Sequence, residues 1–281
     1  MNHFQKHLAA WLVALVALLS ISSWARAQTV PGLGTASAFA VLSAAPGGAG
    51  AVTCTNSTIS GAVGSTGAPG SVVQTGCTIT GAVTAPVPAQ VVSDFNTAYG
   101  NYAAIPCTGV LTGTTQTLTP GVYCSTGAVT FTSATLTLDG QGNPNAVWIF
   151  KVGTAGSGAL TGTNFSVVMI NSGAACNVNW WVADAATLST SAFQGNILAG
   201  AAITFTGAGS TATIGNDLAK GTVTLTGVAE TSCQAVPCQE PDKSYGKFLA
   251  PLNILSHPWD PMPQCPQKCK LPLHPLPTKS W

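Results

Sequence analysis

The sequence predicts a mostly β protein, an irregular β-solenoid with one helix lying against it, and three observations carry that reading. First, a small-x-Thr-x-Thr pattern returns as Ala128-x-Thr130-x-Thr132, Ala159-x-Thr161-x-Thr163, Ala202-x-Thr204-x-Thr206 and Thr222-x-Thr224-x-Thr226, with a shorter copy at Thr187-x-Ser189. Second, two segments recur at an offset of 20 residues: Thr58-Ile59-Ser60-Gly61-Ala62-Val63 as Thr78-Ile79-Thr80-Gly81-Ala82-Val83, and Gly195-Asn196-x-Leu198-Ala199 as Gly215-Asn216-x-Leu218-Ala219. About 20 residues suffice for one coil of three short strands and tight corners. Third, Val91, Phe95, Ala98 and Tyr102 fall at i, i+4, i+7 and i+11 and make one face of a helix over roughly residues 86–104.

From the N-terminus, Lys6, the apolar run Leu8 to Leu19 and the small-x-small site Ala25-Arg26-Ala27 read as a secretory leader over residues 1–27. Cleavage leaves Gln28 first, in an exported protein that is soluble and has no membrane partner. Residues 28–232 form the predicted solenoid domain, and residues 233–281 a proline-rich, disordered tail without periodicity. In that tail, Cys265, Cys269, His257 and His274 match no standard metal spacing, so no metal and no cofactor are expected.

Within the domain, alternation along each threonine strand sends residues such as Ile203, Phe205, Val223 and Leu225 inward and the threonines outward. The strands are spaced by 31, 43 and 20 residues from Thr130 through Thr161 and Thr204 to Thr224. Loops inserted at solenoid corners explain that irregularity better than a propeller, which needs a steadier period. Prolines near the start of the predicted helix are tolerated there, and Pro106 closes it. Ser93, Asn96 and Asn101 lie on its polar face. Val147 to Phe150, Ser166 to Ile170 and Val178 to Val182 are nearly unbroken apolar runs, read as strands buried on both sides.

An oxidising compartment permits disulfides. Cys54 with Cys77, and Cys107 with Cys124, are the candidates; Cys176 is left over and reads as a buried thiol.

Composition narrows function. The chain is 46% hydrophobic and only 6% charged, against about 25% charged for an ordinary soluble domain. A net charge of +1 gives nothing to steer it to nucleic acid or an anionic membrane. The domain carries no histidine to serve as a base, and Asp139, Asp184 and Asp217 are far apart at apparent corners, where turn-capping is the plainer role. No catalytic constellation emerges, and the chain is not read as an enzyme. What remains is a flat, uncharged face of small hydroxyls and methyls, suited to a regular, uncharged partner. Threonine also favours exposed strands for its own sake, so the ladder alone does not name that partner.

Longer motifs do. Leu33-Gly34-Thr35-Ala36 through Phe39-Ala40-Val41-Leu42, Leu118-Thr119-Pro120-Gly121-Val122-Tyr123, the run Leu136 to Phe150, Ala175-Cys176-Asn177-Val178-x-Trp180 and Gly195-Asn196-Ile197-Leu198-Ala199 occur in order. Over residues 32–230 the chain resembles the secreted ice-binding proteins of cold-adapted bacteria, yeasts and diatoms. The resemblance implies a discontinuous right-handed three-faced β-solenoid with one long α-helix packed along it, one flat face of which adsorbs to ice. Family faces often carry T-A/G-x-T/N segments; here Ala201-Ala202-Ile203-Thr204 and Gly221-Thr222-Val223-Thr224 keep the last threonine and replace the first. The expected ice-contacting residues are Ala128, Thr130, Thr132, Ala159, Thr161, Thr163, Thr187, Ser189, Ala202, Thr204, Thr206, Thr222, Thr224 and Thr226, in a monomer. The alternative is an extracellular adhesin or matrix module that uses the same face on polysaccharide or protein.

Overall fold

The computed structural model describes residues 29–154 and 156–233. The predicted leader and the tail beyond Cys233, with its cysteines and histidines, lie outside them. Short parallel strands wind over three faces. The first sheet runs Val83–Thr84, Val63–Ser65, Val41–Ser43, Asp217–Ala219, Asn196–Ala199, Val178–Val182, Trp148–Val152, Gly121–Ser125 and Gly109–Val110. The second runs Val129–Thr132, Leu160–Thr163, Ala186–Ser189, Ile203–Ile214, Val223–Thr231, Val52–Thr55 and Val72–Thr75, and the third Gln116–Leu118, Thr135–Asp139 and Ser166–Ile170.

Spatial order departs from chain order at one seam. The N-terminal coils stack on the C-terminal one: Val41–Ser43 pairs with Asp217–Ala219, and Val52–Thr55 with the start of Val223–Thr231. The chain then winds outward through Val83–Thr84, passes through the helix, and re-enters at Gly109–Val110, the opposite edge of the first sheet. The offset-20 repeats are therefore neighbouring coils, with Thr58 beside Thr78 and Ile197 beside Asp217.

The helix spans Ala89–Ala104 and buries Val91, Phe95, Ala98, Tyr99 and Tyr102. It starts three residues later than the sequence predicts. Pro88 keeps an extended ψ of 145°, and a proline also biases the residue before it away from helical geometry. The buried face lies on Leu42, Val122, Ile149, Trp181, Leu198 and Leu218 of the first sheet. The opposite pleat of that sheet, including Trp148, Phe150, Trp180 and Ile197, fills the solenoid interior. Two-sided burial explains the unbroken apolar runs at Trp148–Val152 and Val178–Val182. Ser166–Ile170 differs from expectation. It lies on the third sheet, which no helix covers, so Val168 and Ile170 point outward and are exposed.

Both helix ends are tied down. The Asp94 carboxylate accepts from the Thr35 backbone amide and hydroxyl, 2.7 Å each, and from Gln90; the Thr35 amide first, then the two side chains, holds its pKa below the ordinary carboxylate value. At the other end the Lys151 ammonium donates to the Ala103 and Ile105 carbonyls, 2.7 Å each, the favourable end of the helix dipole for a cation. Disulfides join Cys54 to Cys77 and Cys107 to Cys124 as expected. Cys176 is no free thiol: it bonds Cys233, 57 residues on, and so ties the end of the described chain to the solenoid.

Candidate functional site

The second sheet turns its alternate residues inward with one register throughout. Val129 and Phe131, Ala186 and Leu188, Ile203 and Phe205, Val223 and Leu225, Val52 and Cys54 are all buried. Beneath them rings stack across coils: Phe131 on Phe165 at 4.1 Å between centroids, Phe150 on Trp180 at 4.2 Å, and Phe193 against Phe205 at 5.8 Å. Gly162 leaves room for that packing, since a Cβ there would meet a Leu188 methyl at 2.5 Å. A close-packed aromatic interior of this kind is stiff.

Outward, the strands present two parallel rows. Thr130, Thr161, Thr187, Thr204, Thr224, Thr53 and Val73 pair successively in one; Thr132, Thr163, Ser189, Thr206, Thr226, Thr55 and Thr75 in the other. Neighbours within a row are about 4.8 Å apart and the rows about 6.6 Å apart, so the face runs roughly 29 Å along the solenoid. Ahead of the rows lie Ala128, Ala159, Ala185, Ala202, Thr222, Ala51 and Ser71, joined by backbone bonds such as Val129 N–H to the Ala159 carbonyl at 2.9 Å and Val223 N–H to the Ala51 carbonyl at 3.0 Å. Among the described residues, no hydroxyl in the two rows bonds another protein group, so each remains available to water. No charged or titratable side chain stands on either row.

Flatness is set at the corner. Six of the seven residues that follow the second row, Ser133, Asn164, Thr190, Gly227, Asn56 and Gly76, have positive φ, between 46° and 66°; after Thr206 the strand runs on instead, with a register shift before Thr211. In those six coils a left-handed residue redirects the chain at the same level. Two buried serines reinforce the turn. The Ser57 hydroxyl donates to the Thr55 carbonyl at 2.8 Å and accepts from Val228 N–H at 3.1 Å. Ser191 does the same between the Ser189 carbonyl and Phe165 N–H.

All fourteen residues singled out in the sequence lie on this face, in three rows. Sequence reasoning missed Thr53, Thr55 and Thr75, with Ala51, Ser71 and Ala185 in the leading row. The signal was present in Ala51-x-Thr53-x-Thr55, but this strand joins the ladder only across the seam. The acidic residues differ among themselves. Asp139 caps its own turn, accepting from Gln141 N–H and the Asn171 amide at 2.9 Å each, and the Gln141 bond is the main reason its pKa is lowered. Asp217 does not cap a corner as expected; it opens the buried strand Asp217–Ala219 and is 2% exposed. Among the described residues no cluster of three or more His, Cys, Asp or Glu is placed to hold a metal.

The comparisons agree with this geometry. Residues 34–230 match the family model described as ice-binding-like. An ice-binding protein of Nostoc sp. (strain HG1) is 37% identical over 203 residues, 70% of this chain and 72% of that one. Among solved structures, the ice-binding protein from an Antarctic ascomycete, Antarctomyces psychrotrophicus, aligns with TM-score 0.62 and 30% identity over 74% of this chain and all (100%) of that one. An ice-binding protein from an Antarctic biological consortium aligns with TM-score 0.63 and 29% identity, over 73% and 92% of the two chains. With its helix-backed three-faced solenoid and the match over most of its length, the chain belongs to the ice-binding-like family.

Proposed function

We propose that this is a secreted, non-enzymatic ice-binding protein that adsorbs to ice through its threonine face and so inhibits ice growth and recrystallisation. The observation that carries the reading is the in-register double row of threonines with unbonded hydroxyls, held flat on an aromatic core. Ice is a periodic array of donors and acceptors. A rigid grid of hydroxyls and methyls at strand spacing holds bridging water in matching positions, and such water bonds nearly as well as direct contact. The methyls add an apolar term that grows with area. A face without charge imposes no competing order on that water.

Working outside the cell is supported by the leader-like N-terminus and by three disulfides in the described chain. A single molecule already presents the whole face, so a monomer suffices. The test is crystal shaping and freezing-point depression with the purified chain beside Thr204→Tyr. The wild type is expected to facet ice and open a hysteresis gap; the variant is expected to lose both with its thermal unfolding unchanged. A folded wild type that leaves ice growth unaffected refutes the reading and turns attention to polysaccharide as the partner.

A further inference from the structure

The seam that completes the ladder covers two buried acids. Asp217 bonds through its backbone N–H to the Ala40 carbonyl across the seam at 2.7 Å, and Glu230 lies opposite Ile59 of the N-terminal coils. Each residue is 2% exposed. Among the described residues Asp217 Oδ2 has no hydrogen-bond partner, and the Glu230 carboxylate accepts from the Thr213 hydroxyl. Among the described residues no cation is paired with either. Strands Val41–Ser43, Asn196–Ala199, Thr58–Ser60 and Ile203–Ile214, which pack around the pair, carry no charged or titratable side chain. The nearest cation in sequence, Lys220, instead lies over the Tyr99 ring at 4.0 Å, on the helix side. Two ionised carboxylates in such an interior are untenable, whereas a pair that keeps a proton is not.

We propose that Asp217 and Glu230 form a proton-holding carboxyl pair that keeps the seam closed under the ladder, and that loss of the proton loosens it. The consequence for ice rests on the threonine face being the ice-contacting one: an open seam separates Thr224 and Thr226 from Thr53 and Thr55 and leaves two shorter ladders. Burial raises Asp217 to about 7, and burial with the Asp217 charge lifts Glu230 well above the ordinary range. The folded state therefore holds protons that the unfolded chain releases near pH 4, and stability falls as pH rises from there through about 7 and beyond. The face itself has no titratable group, so any pH dependence of ice activity must come through the fold.

The experiment follows thermal unfolding and ice recrystallisation of the purified chain from pH 4.5 to 9.5, beside Asp217→Asn/Glu230→Gln. Hydrogen exchange corrected for intrinsic rates is read at the seam amides of Asp217, Val223 and Val228. The wild-type midpoint should fall steadily with pH, seam protection should drop first, and the concentration needed to stop recrystallisation should rise in step. The amide variant should be flat. If it does not fold, loss of protection at the seam ahead of the remaining amides carries the test. A pH-independent wild type, or a variant that follows the wild type, overturns the proposal. A pH-dependent fold without ice activity at any pH instead refutes the ice reading and leaves the carboxyl pair standing.

Discussion

Each threonine of the ladder contributes one methyl and one hydroxyl at a lattice point, and its worth lies in being level with its neighbours. Thr53→Tyr, at a position that joins the ladder only across the seam, should damage ice activity as much as Thr204→Tyr, because both have a row neighbour on either side. Each bulky ring lifts the face from the crystal and should weaken recrystallisation inhibition about tenfold or more, equivalent to roughly 1.4 kcal/mol of lost contact. Circular dichroism should show both variants folded. Val73 ends its row and is 49% exposed, so Val73→Tyr should cost much less in the same assay. Inward positions behave differently. Phe165 touches Phe131, Trp180 and Phe193, and Phe165→Ala should lower stability by about 3–5 kcal/mol in chemical unfolding. The outward threonines were legible because alternation leaves only one choice once Ile203 and Phe205 are placed inside. Cys176 was not, since a pairing across 57 residues leaves no local trace.

Among elements, strand and helix type were readable wherever one face is wet. The 3.6-residue period of Val91, Phe95, Ala98 and Tyr102 and the period of two in the threonine strands each report one buried side. Apolar runs without alternation say only that both sides are covered or that the sheet is narrow. Ser166–Ile170 looked like Trp148–Val152 for that reason, although only the latter lies under the helix. The helix depends on its ends as well as its face. Lys151→Met keeps the aliphatic stem and removes two charge-assisted bonds to carbonyls that end the helix; a half-exposed site discounts their value to about 1 kcal/mol. A thermal melt should register that loss while ice activity survives. Removing the cross-link with Cys176→Ser/Cys233→Ser should cost more, about 4 kcal/mol in the chain-entropy model for a loop of 57 residues, read as a lower denaturant midpoint.

At the scale of the molecule, the notable choice is the seam. A continuous solenoid would build its face in chain order; here seven strands become one surface only when the first coils dock on the last, through contacts such as Ser43 Oγ to the Gly221 carbonyl, 178 residues apart. Such long-range closure is entropically expensive and slow to form. It also explains what repeat-spacing in the sequence left out, because a period followed along the chain never brings Thr53 beside Thr224. The composition was legible at this scale: a chain with 6% charged residues leaves a large neutral face, and the fold places it on one flat side. We propose that this side, rather than the third sheet, meets ice. Adsorption of fluorescently labelled protein to a single growing ice crystal tests it most directly, comparing the wild type with Thr224→Tyr and with Thr117→Tyr on the third sheet. The wild type and Thr117→Tyr should coat the crystal, and Thr224→Tyr should stay in solution. Adsorption by Thr224→Tyr at the wild-type level, or none by the folded wild type, would contradict the proposal.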